Sequence, residues 1–430
     1  ADFLGTWISP VEFTRAWSAR RTPHADEPRM SYHVQFESRV SLTGANADMR
    51  YAVAPQSIGL LVNRLSQLIE AEQEASLRID HTPLADQALE RALQSLGPLL
   101  WQHRGECLIV CGSQDVNVQA WVNALNHRLG NYGATLDLER PSRQRQGSDA
   151  DLALLLDELA GDEIGALLVA DVDLLHLFAG RPDLAEAVDR VPLSISFAPH
   201  VDDFASHARF VCPDHHALEA WLDAEPVAGL VTLGQPTLRP LAQTRALLES
   251  LAVWSGQPTT ALAAIQDYWQ QSIFPGRTDG SQVFAEFWDN ALRRGFVETV
   301  TDPPPEYGFN TAGLLPLEAL EESSAFTAVL YHKVGMPDGR SAHNPWLHEL
   351  PDPTTKVSWG NYACLAPGDA QRLGVVNGQV LLVSGGVPGL ELELPALVQQ
   401  GQYPGTVAIA LNYGVRGTNR FQQIGPHWIG

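Results

Sequence analysis

The fold of this chain is constrained most by a recurring order of short apolar run, polar loop and helical repeat. The clearest example starts at Cys107, where residues 108–110 form an apolar run that predicts a short buried strand. Gly112 opens the loop that follows, and apolar residues then recur at helical spacing; these are Val118, Trp121, Val122, Leu125 and Leu129. A strand, a loop and a helix in this order are typical of a parallel sheet covered by helices.

The same order recurs further along the chain. The apolar run at 166–170 predicts a second strand, which is followed by acidic residues and by a helix starting near Pro182. A third strand at 193–198 leads into Asp202 and Asp203, and a fourth is predicted at 209–212. Strands that alternate with helices in this way predict an α/β fold with doubly wound parallel-sheet lobes.

Other segments have simpler patterns. Residues 32–53 alternate apolar and polar side chains and break at 43–46, which predicts strands around a loop. Helical spacing of apolar residues predicts helices at 58–69, 84–96 and 241–274.

The last part of the chain changes character. Residues 301–307 contain three consecutive prolines, which exclude a helix interior or a central strand and predict a surface loop or linker. From Trp359 onward, short strands such as 380–383 and 390–394 alternate with glycine-rich turns. Many short strands with glycine turns are typical of a compact C-terminal β-barrel domain.

Charge and hydropathy exclude some classes of partner. The 430 residues carry 50 acidic and 28 basic side chains, a formal charge of -22, and the only lysines are Lys333 and Lys356. Such a field repels phosphate backbones and anionic lipid heads, so we expect no nucleic-acid partner. No apolar run reaches the ~20 residues of a membrane helix, so we expect no direct membrane span. The chain begins at Ala1 without a signal-peptide pattern, which suggests a processed, split or truncated product.

The four cysteines do not form a ligand set in the sequence. Cys107 and Cys111 would lie about 13 Å apart along an extended strand, too far to share a metal ion. Cys212 and Cys364 stand alone. We therefore predict buried structural thiols and no metal site or iron–sulfur cluster held by this chain alone.

One candidate site is the loop formed by Gly112, Ser113 and Gln114. A glycine turn between a strand and a helix leaves backbone N–H groups free at the helix start, where the helix dipole favours anions. The loop lacks the second and third glycines of a dinucleotide fingerprint. An ordinary β–α turn is therefore the competing interpretation.

A second candidate is the pair Asp171 and Asp173. They follow a predicted strand at its carboxyl end, where ligands bind in open α/β sheets, and there a carboxylate accepts hydrogen bonds from ribose hydroxyls or a guanine amine. Helix capping by the same residues is the alternative interpretation.

The segment 212–219 combines a thiol, two imidazoles and two carboxylates, which suggests a metal site. Because adjacent side chains such as His215 and His216 point apart, we favour a structural turn in which Asp214 caps a helix starting near His215. No glycine-flanked serine and no local Cys/His pair suggests a nucleophile, so no catalytic residue is predicted.

The order of these pieces also carries a family resemblance. The chain resembles, over nearly its whole length, the large iron–sulfur subunit of the bacterial alternative complex III, which is related in fold to the molybdopterin oxidoreductases. The strings that carry this resemblance are LTGANADMRYAV (42–53), CLIVCGSQDVNVQAWVNALNHRLGNYGATL (107–136), ARFVCPDHHALEAW (208–221), LGQPTLRPLAQTR (233–245), NPWLHELPDPTTKVSWGNYACLAPGDAQRLGVVNGQVLLV (344–383) and LVQQGQYPGTVAIALNYG (397–414).

The resemblance implies a division into four parts. Residues 1–100 resemble part of the family's second-domain α/β lobe, and 101–235 its third, dinucleotide-binding-like lobe. Residues 236–343 resemble the helical return to the second domain with a linker, and 344–430 the barrel domain. The family's amino-terminal region and its cysteine-rich ferredoxin-like module have no counterpart here.

The resemblance further implies a molybdopterin fold without its cofactor. Active enzymes carry Gly-Thr-Asp where this chain has Pro55, Gln56 and Ser57. The implied function is a non-catalytic scaffold in a membrane-associated, quinol-oxidising electron-transfer complex. The implied partners are an iron–sulfur protein module that carries the clusters, membrane quinol-oxidising subunits and cytochrome c subunits. The implied location is the periplasmic face of the bacterial inner membrane, with the cytoplasm as the alternative.

Two other functions stay open at this point. The first is an active molybdopterin bis(guanine dinucleotide) oxidoreductase fragment or subunit. Its pyrophosphate would lie near residues 112–114, its guanine or ribose near Asp171 and Asp173, and barrel contacts would come from Asn412 and Tyr413. The second is a stand-alone protein that binds a nucleotide-like ligand.

Overall fold

A computed structural model describes residues 1–23, 28–73, 83–178, 181–303, 308–310, 313–317, 326–341, 344–386 and 391–413. Residues 304–307 of the predicted proline-rich loop, Leu390 of the predicted strand 390–394, and Gly414 lie outside these ranges. The chain forms two compact units. Unit 1 comprises Ala1–Leu138, Pro305–Pro337 and Trp346–Leu411, and unit 2 comprises Glu139–Pro304, Asp338–Pro345 and Asn412–Gly430.

The helices of the described residues, in chain order, are α1 (Pro10–Ala19), α2 (Leu42–Ala45), α3 (Ile58–Gln73), α4 (Gln87–Gln102), α5 (Val116–Arg128), α6 (Asp149–Ala160), α7 (Leu174–Leu177), α8 (Pro182–Arg190), α9 (Asp203–His207), α10 (Leu247–Trp254), α11 (Ala261–Tyr268), α12 (Phe284–Arg294), α13 (Pro345–Glu349) and α14 (Pro367–Leu373). The strands are β1 (Val34–Glu37), β2 (Met49–Ala52), β3 (Ala166–Val169), β4 (Leu193–Ser196), β5 (Phe210–Val211), β6 (Leu222–Val227), β7 (Leu230–Gly234), β8 (Phe296–Glu298), β9 (Thr327–Tyr331), β10 (Ala363–Leu365), β11 (Val380–Ser384), β12 (Glu391–Val398) and β13 (Thr406–Ala410).

In unit 1, helix α1 is followed by the parallel pair β1–β2, which confirms strands within 32–53. The break at 43–46 was predicted as a loop, and this is wrong because helix α2 connects the strands. The Ser41 hydroxyl accepts a hydrogen bond from the Gly44 amide at 3.0 Å and so begins a helix that is too short to show apolar periodicity. Helices α3, α4 and α5 follow, and Leu65, Ile69, Leu125 and Leu129 form a buried core between them.

The predicted strand at 108–110 is wrong, because these residues form no strand among the described parts of the chain. The Asn126 carboxamide takes the place of a neighbouring strand. Its oxygen accepts from the Ile109 amide at 3.1 Å, and its nitrogen donates to the Ile109 carbonyl at 2.8 Å. One side chain thus satisfies both backbone groups of Ile109, and Leu108 stays 46 % exposed.

The C-terminal part of unit 1 is a five-stranded mixed sheet in the order β11-β12-β10-β13-β9. The predicted β-barrel is not seen here. A barrel would require edge strands β11 and β9 to hydrogen-bond to one another, and within the described residues each pairs on one side only. The five strands therefore form an open sheet. It is mixed, because β10–β12 and β13–β9 are parallel pairs.

This sheet contacts the N-terminal lobe within unit 1 through Arg50. The Arg50 side chain donates to the Glu37 carboxylate at 2.5 Å and to the Gly401 carbonyl at 2.8 Å. The Tyr403 amide donates to the Ser38 carbonyl at 2.7 Å. Gly401 has a φ of 81°, which favours glycine. A Cβ at this position would also lie only 3.1 Å from the Arg50 Nη1 atom, so a side chain there would crowd Arg50.

Unit 2 contains the parallel sheet β3-β4-β5, which confirms the predicted strands at 166–170, 193–198 and 209–212 and the helix at Pro182. Its core contains Leu159, Val169, Val188 and Phe204. The strand order does not reverse in this sheet, so the doubly wound arrangement is not visible in the described residues.

The rest of unit 2 joins the antiparallel sheet β6-β7-β8 to α11 and α12. Trp269, Phe287 and Trp288 fill the core between them, with the Trp269 and Trp288 rings edge to face at 5.5 Å. The predicted helical region 241–274 contains α10 and α11, which Gly256 and Thr260 separate. No helix in the described ranges is long and apolar enough to cross a membrane.

Arg64 and Glu90 form a buried ion pair between α3 and α4. Each side chain is 8 % exposed, and the Arg64 Nη2 atom lies 2.5 Å from the Glu90 carboxylate. The Arg64 hydrogen bonds, against the opposing effect of burial, lower the pKa of Glu90 to about 2. Because the folded-state pKa lies below the ordinary value of 4.5, the pair stabilises the fold above that pH and loses its contribution as the pH falls towards 2.

We predict that Glu90→Gln lowers the free energy of unfolding at pH 7 by roughly 3 kcal/mol, because Arg64 is left buried and charged without a counter-charge. Urea denaturation measures the loss. The double variant Arg64→Met, Glu90→Leu buries no charge and should recover most of the stability. An equal loss in both variants would show that packing, not the unpaired charge, causes the effect.

Candidate functional site

The candidate residues lie in both units. Gly112, Ser113 and Gln114 are in unit 1 immediately before α5, whereas Asp171 and Asp173 follow β3 in unit 2. Asn412 and Tyr413 follow β13 and are assigned to unit 2; both are buried, and Asn412 has a left-handed φ of 71°. Within unit 2, the structure brings Asp173 next to Asp203, a residue that also follows a parallel strand.

The loop 112–114 is held by its own polar groups. The Gln119 side chain donates to the Cys111 carbonyl at 3.1 Å and to the Ser113 carbonyl at 2.6 Å. The Ser113 hydroxyl accepts from the Asp115 amide at 3.1 Å. A Cβ at Gly112 would lie 3.1 Å from the Ala1 Cα, so a larger residue at this position would be in tight contact with another backbone segment.

The start of α5 is capped by Asp115, which is not among the candidate residues predicted from the sequence. The Asp115 carboxylate accepts from the amides of Asn117 at 2.7 Å and Val118 at 3.3 Å. These are the N–H groups that a bound anion would use at a helix start. The signal was present in the sequence, since an aspartate directly before the first periodic apolar residue is typical of an N-cap.

The end of α5 rigidifies the same region. The Asn131 side chain donates to the Asn126 oxygen at 2.8 Å, and both residues are almost fully buried. The Cys107 thiol contacts Asn131, and burial raises the pKa of Cys107. The thiol is therefore neutral at physiological pH and poorly suited to bind a metal ion as a thiolate.

In unit 2, Asp173 caps two helices at once. Its carboxylate accepts from the His176 amide at 3.1 Å in α7 and from the Asp203 and Phe204 amides at 3.0 and 3.1 Å in α9. Three backbone donors occupy this carboxylate. Asp171 is exposed with a left-handed φ of 58°, and its charge adds to the Asp338 hydrogen bond that raises the pKa of Arg340.

Asp202 is the carboxyl group of this region with the most altered acidity. Its side chain caps α9 by accepting from the Ala205 amide at 2.8 Å. Burial, helped by the charges of Asp173 and Asp203, raises the pKa of Asp202 to about 6. Burial also lowers the pKa of the nearby His200. The carboxyl ends of β3 and β4 thus hold a carboxyl group that exchanges its proton near neutral pH, a property common at functional sites and also produced by structural clusters.

The segment 212–219 is a turn, as favoured, but no helix starts near His215, so that part of the prediction is wrong. The Asp214 carboxylate accepts from the His215 amide at 2.7 Å and from the Leu247 amide at 2.8 Å, so it caps the distant helix α10. The Glu219 carboxylate accepts from the amides of His216 and Leu241. Among the described residues, no group of three or more His, Cys, Asp or Glu side chains is arranged to hold a metal ion.

We predict that Asp202→Asn is as stable as the wild type at pH 4 and more stable at pH 8. The folded-state pKa of Asp202 lies above its ordinary value of 3.8, so the wild type loses stability as the pH rises from about 4 to about 6, whereas Asn keeps an oxygen for the Ala205 amide. Melting temperatures across this pH range test the expectation.

Asp173→Asn is the control variant for this measurement. It weakens three hydrogen bonds at every pH and should be destabilised throughout. A wild-type protein and an Asp202→Asn variant with parallel pH profiles would contradict the assigned protonation of Asp202.

Comparison with known proteins identifies the fold. No family model matches the chain, and no curated protein sequence matches it. Among solved structures, acetylene hydratase from Pelobacter acetylenicus aligns with a TM-score of 0.62 at 12 % sequence identity, over 96 % of this chain and 70 % of that chain. The likeness confirms a mixed α/β fold with parallel sheets for this chain, similar to that of acetylene hydratase.

Proposed function

We propose that this chain is a non-catalytic, molybdopterin-fold component of a membrane-associated, quinol-oxidising electron-transfer complex of the alternative complex III type. The fold likeness and the order of the sequence strings support the family. The observation that carries the cofactor-free form is the Asp115 carboxylate at the start of α5.

The polar groups of the candidate loop do not fit a pterin pyrophosphate. A phosphate oxygen near α5 would compete with Asp115 for the amides of Asn117 and Val118. Two unit negative charges 4 Å apart repel one another by about 4 kcal/mol at an effective dielectric constant of 20. The Gln119 side chain donates to the carbonyls of Cys111 and Ser113 and so holds the loop in its present conformation.

The second candidate position, Asp173, is also occupied by groups of the protein itself. The Asp173 carboxylate, which would serve a guanine or a ribose in an active enzyme, accepts three backbone amides. A carboxylate with these partners has little capacity left for a ligand. In both places an aspartate carboxylate acts as a helix cap.

The cysteines support a role without redox chemistry in this chain. Burial raises the pKa of Cys364 to about 12, and burial also raises the pKa of Cys107. Because metals and clusters bind the thiolate form, these two thiols are poor ligands. Electrons would pass through iron–sulfur clusters of a partner module, and this chain would contribute assembly of the complex and shielding of the clusters from water.

We predict that the complex isolated from its native host contains iron but neither molybdenum, tungsten nor pterin. Elemental analysis, together with the fluorescence of oxidised pterin, measures all four. Stoichiometric molybdenum or tungsten with pterin would contradict the proposal and favour the active enzyme. A monomer that contains no iron and carries a bound nucleotide would favour the stand-alone binding protein.

We also predict that pyrophosphate does not change the melting temperature of the wild type but raises that of Asp115→Ser. Serine still caps the helix as a neutral residue, so removal of the carboxylate removes the repulsion of an anion. Asp86→Ser is a matched control, because Asp86 caps α4 by accepting from the amides of Ala88 and Leu89. Stabilisation of the wild type by pyrophosphate would contradict the role of Asp115.

A further inference from the structure

Strand β11 is one edge of the C-terminal sheet, because among the described residues it pairs with β12 alone. The ladder runs from Val380 to Ser384 without a register shift. Proteins usually protect such an edge with a lysine, a proline or a bulge. The sequence of β11, Val-Leu-Leu-Val-Ser, contains neither lysine nor proline, and its ladder has no bulge, so the outer backbone groups can accept another strand.

One face of the β11–β12 hairpin is apolar along β11 and acidic along β12. Val380 and Leu382 are 62 % and 61 % exposed. In the antiparallel register, Val380 lies opposite Pro395, Leu382 opposite Glu393, and Ser384 opposite Glu391. Both glutamates are exposed, and neither has an ion-pair partner within the part of the chain that the structure describes.

The other face of the hairpin is turned inward. Leu392 and Leu394, on the alternate positions of β12, are 6 % and 0 % exposed. The register of β12 is therefore fixed by burial of this inner face, since a shift of β12 by one residue would expose both leucines. The acidic and apolar pattern on the outer face is consequently a constant feature of the hairpin.

We propose that β11 binds an extended, basic segment of a partner protein, which pairs with its outer edge as a sixth strand. An added strand would lie ~4.8 Å from β11 and ~10 Å from β12. A lysine or arginine opposite Leu382 would rest its aliphatic stem on that leucine and place its charge at Glu393. A second basic side chain opposite Ser384 would reach Glu391 in the same way.

The row formed by Val380 and Pro395 has no charge, so it suits an apolar side chain. The segment therefore presents two basic residues and one apolar residue at alternate positions of one strand face. Main-chain hydrogen bonds would supply part of the affinity, and these alternate side chains the specificity. The formal charge of -22 favours encounter with a basic partner. This inference does not depend on the function proposed above.

The probe is a fluorescently labelled seven-residue peptide in which two arginines and one valine alternate with threonine, made in both sequence orders. Fluorescence anisotropy with the 430-residue chain measures its binding. We expect Leu382→Lys, which adds an edge-protecting charge, to weaken binding at least about tenfold. The matched control is Leu330→Lys on the opposite edge strand β9, where Leu330 is 54 % exposed, and it should bind as the wild type does.

A charge exchange tests the acidic half of the site. Glu393→Arg should weaken binding of the arginine peptide about tenfold and create binding of a peptide with glutamate in place of arginine. N-methylation of alternate amides in the peptide should abolish binding, because it removes the main-chain hydrogen bonds. Circular dichroism confirms that each variant is folded.

Several outcomes would overturn the proposal. Binding that survives both Leu382→Lys and N-methylation would show attraction by charge without strand addition. Self-association of the chain that Leu382→Lys abolishes, without peptide binding, would show that a second copy covers the edge. Failure of both peptide orders to bind the wild type would also exclude a basic strand at β11.

Discussion

The structure depends on how the ends of its short helices are satisfied. Helices α7 and α9 have four and five residues, so most of their backbone amides lie in a first turn that has no partner within the helix. Aspartates supply the missing acceptors, as Asp115 does for α5 and Asp173 for α7 and α9. Part of the acidic excess of the chain is therefore a structural requirement as well as a property of its surface.

This use of aspartate bears on ligand binding as well as on the fold. A carboxylate after a parallel strand stands where related folds bind nucleotides, and it is equally suited to cap the next helix. The same carboxylate oxygens cannot fully serve a bound nucleotide and a helix cap at once. Asp173 accepts from three backbone amides, and Asp115 accepts from two amides at the start of α5, so these carboxylates already serve the protein itself.

The sequence was sufficient where local patterns decide the structure. Helical periodicity correctly predicts α3, α4 and α5, and apolar runs followed by polar loops predict β3 and β4. The sequence-based predictions failed where a residue far away in the chain determines the local structure. The run 108–110 pairs with the Asn126 side chain rather than a strand, Asp214 caps a helix that begins at Leu247, and closure of the C-terminal sheet depends on edges that no local pattern reveals. Of the candidate site, the loop and the aspartates could be located, but their hydrogen-bond partners could not.

The junction at Arg50 has a consequence for how the chain folds during synthesis. The hydrogen bond from Arg50 to the Gly401 carbonyl spans 351 residues of sequence. At roughly 5–20 residues per second, a ribosome needs on the order of 20–70 s to make that intervening length. Throughout this interval the N-terminal lobe lacks the sheet that completes it, and the Ser38 carbonyl lacks the Tyr403 amide. The contacts that complete unit 1 therefore form only late in synthesis, after the C-terminal sheet has been made.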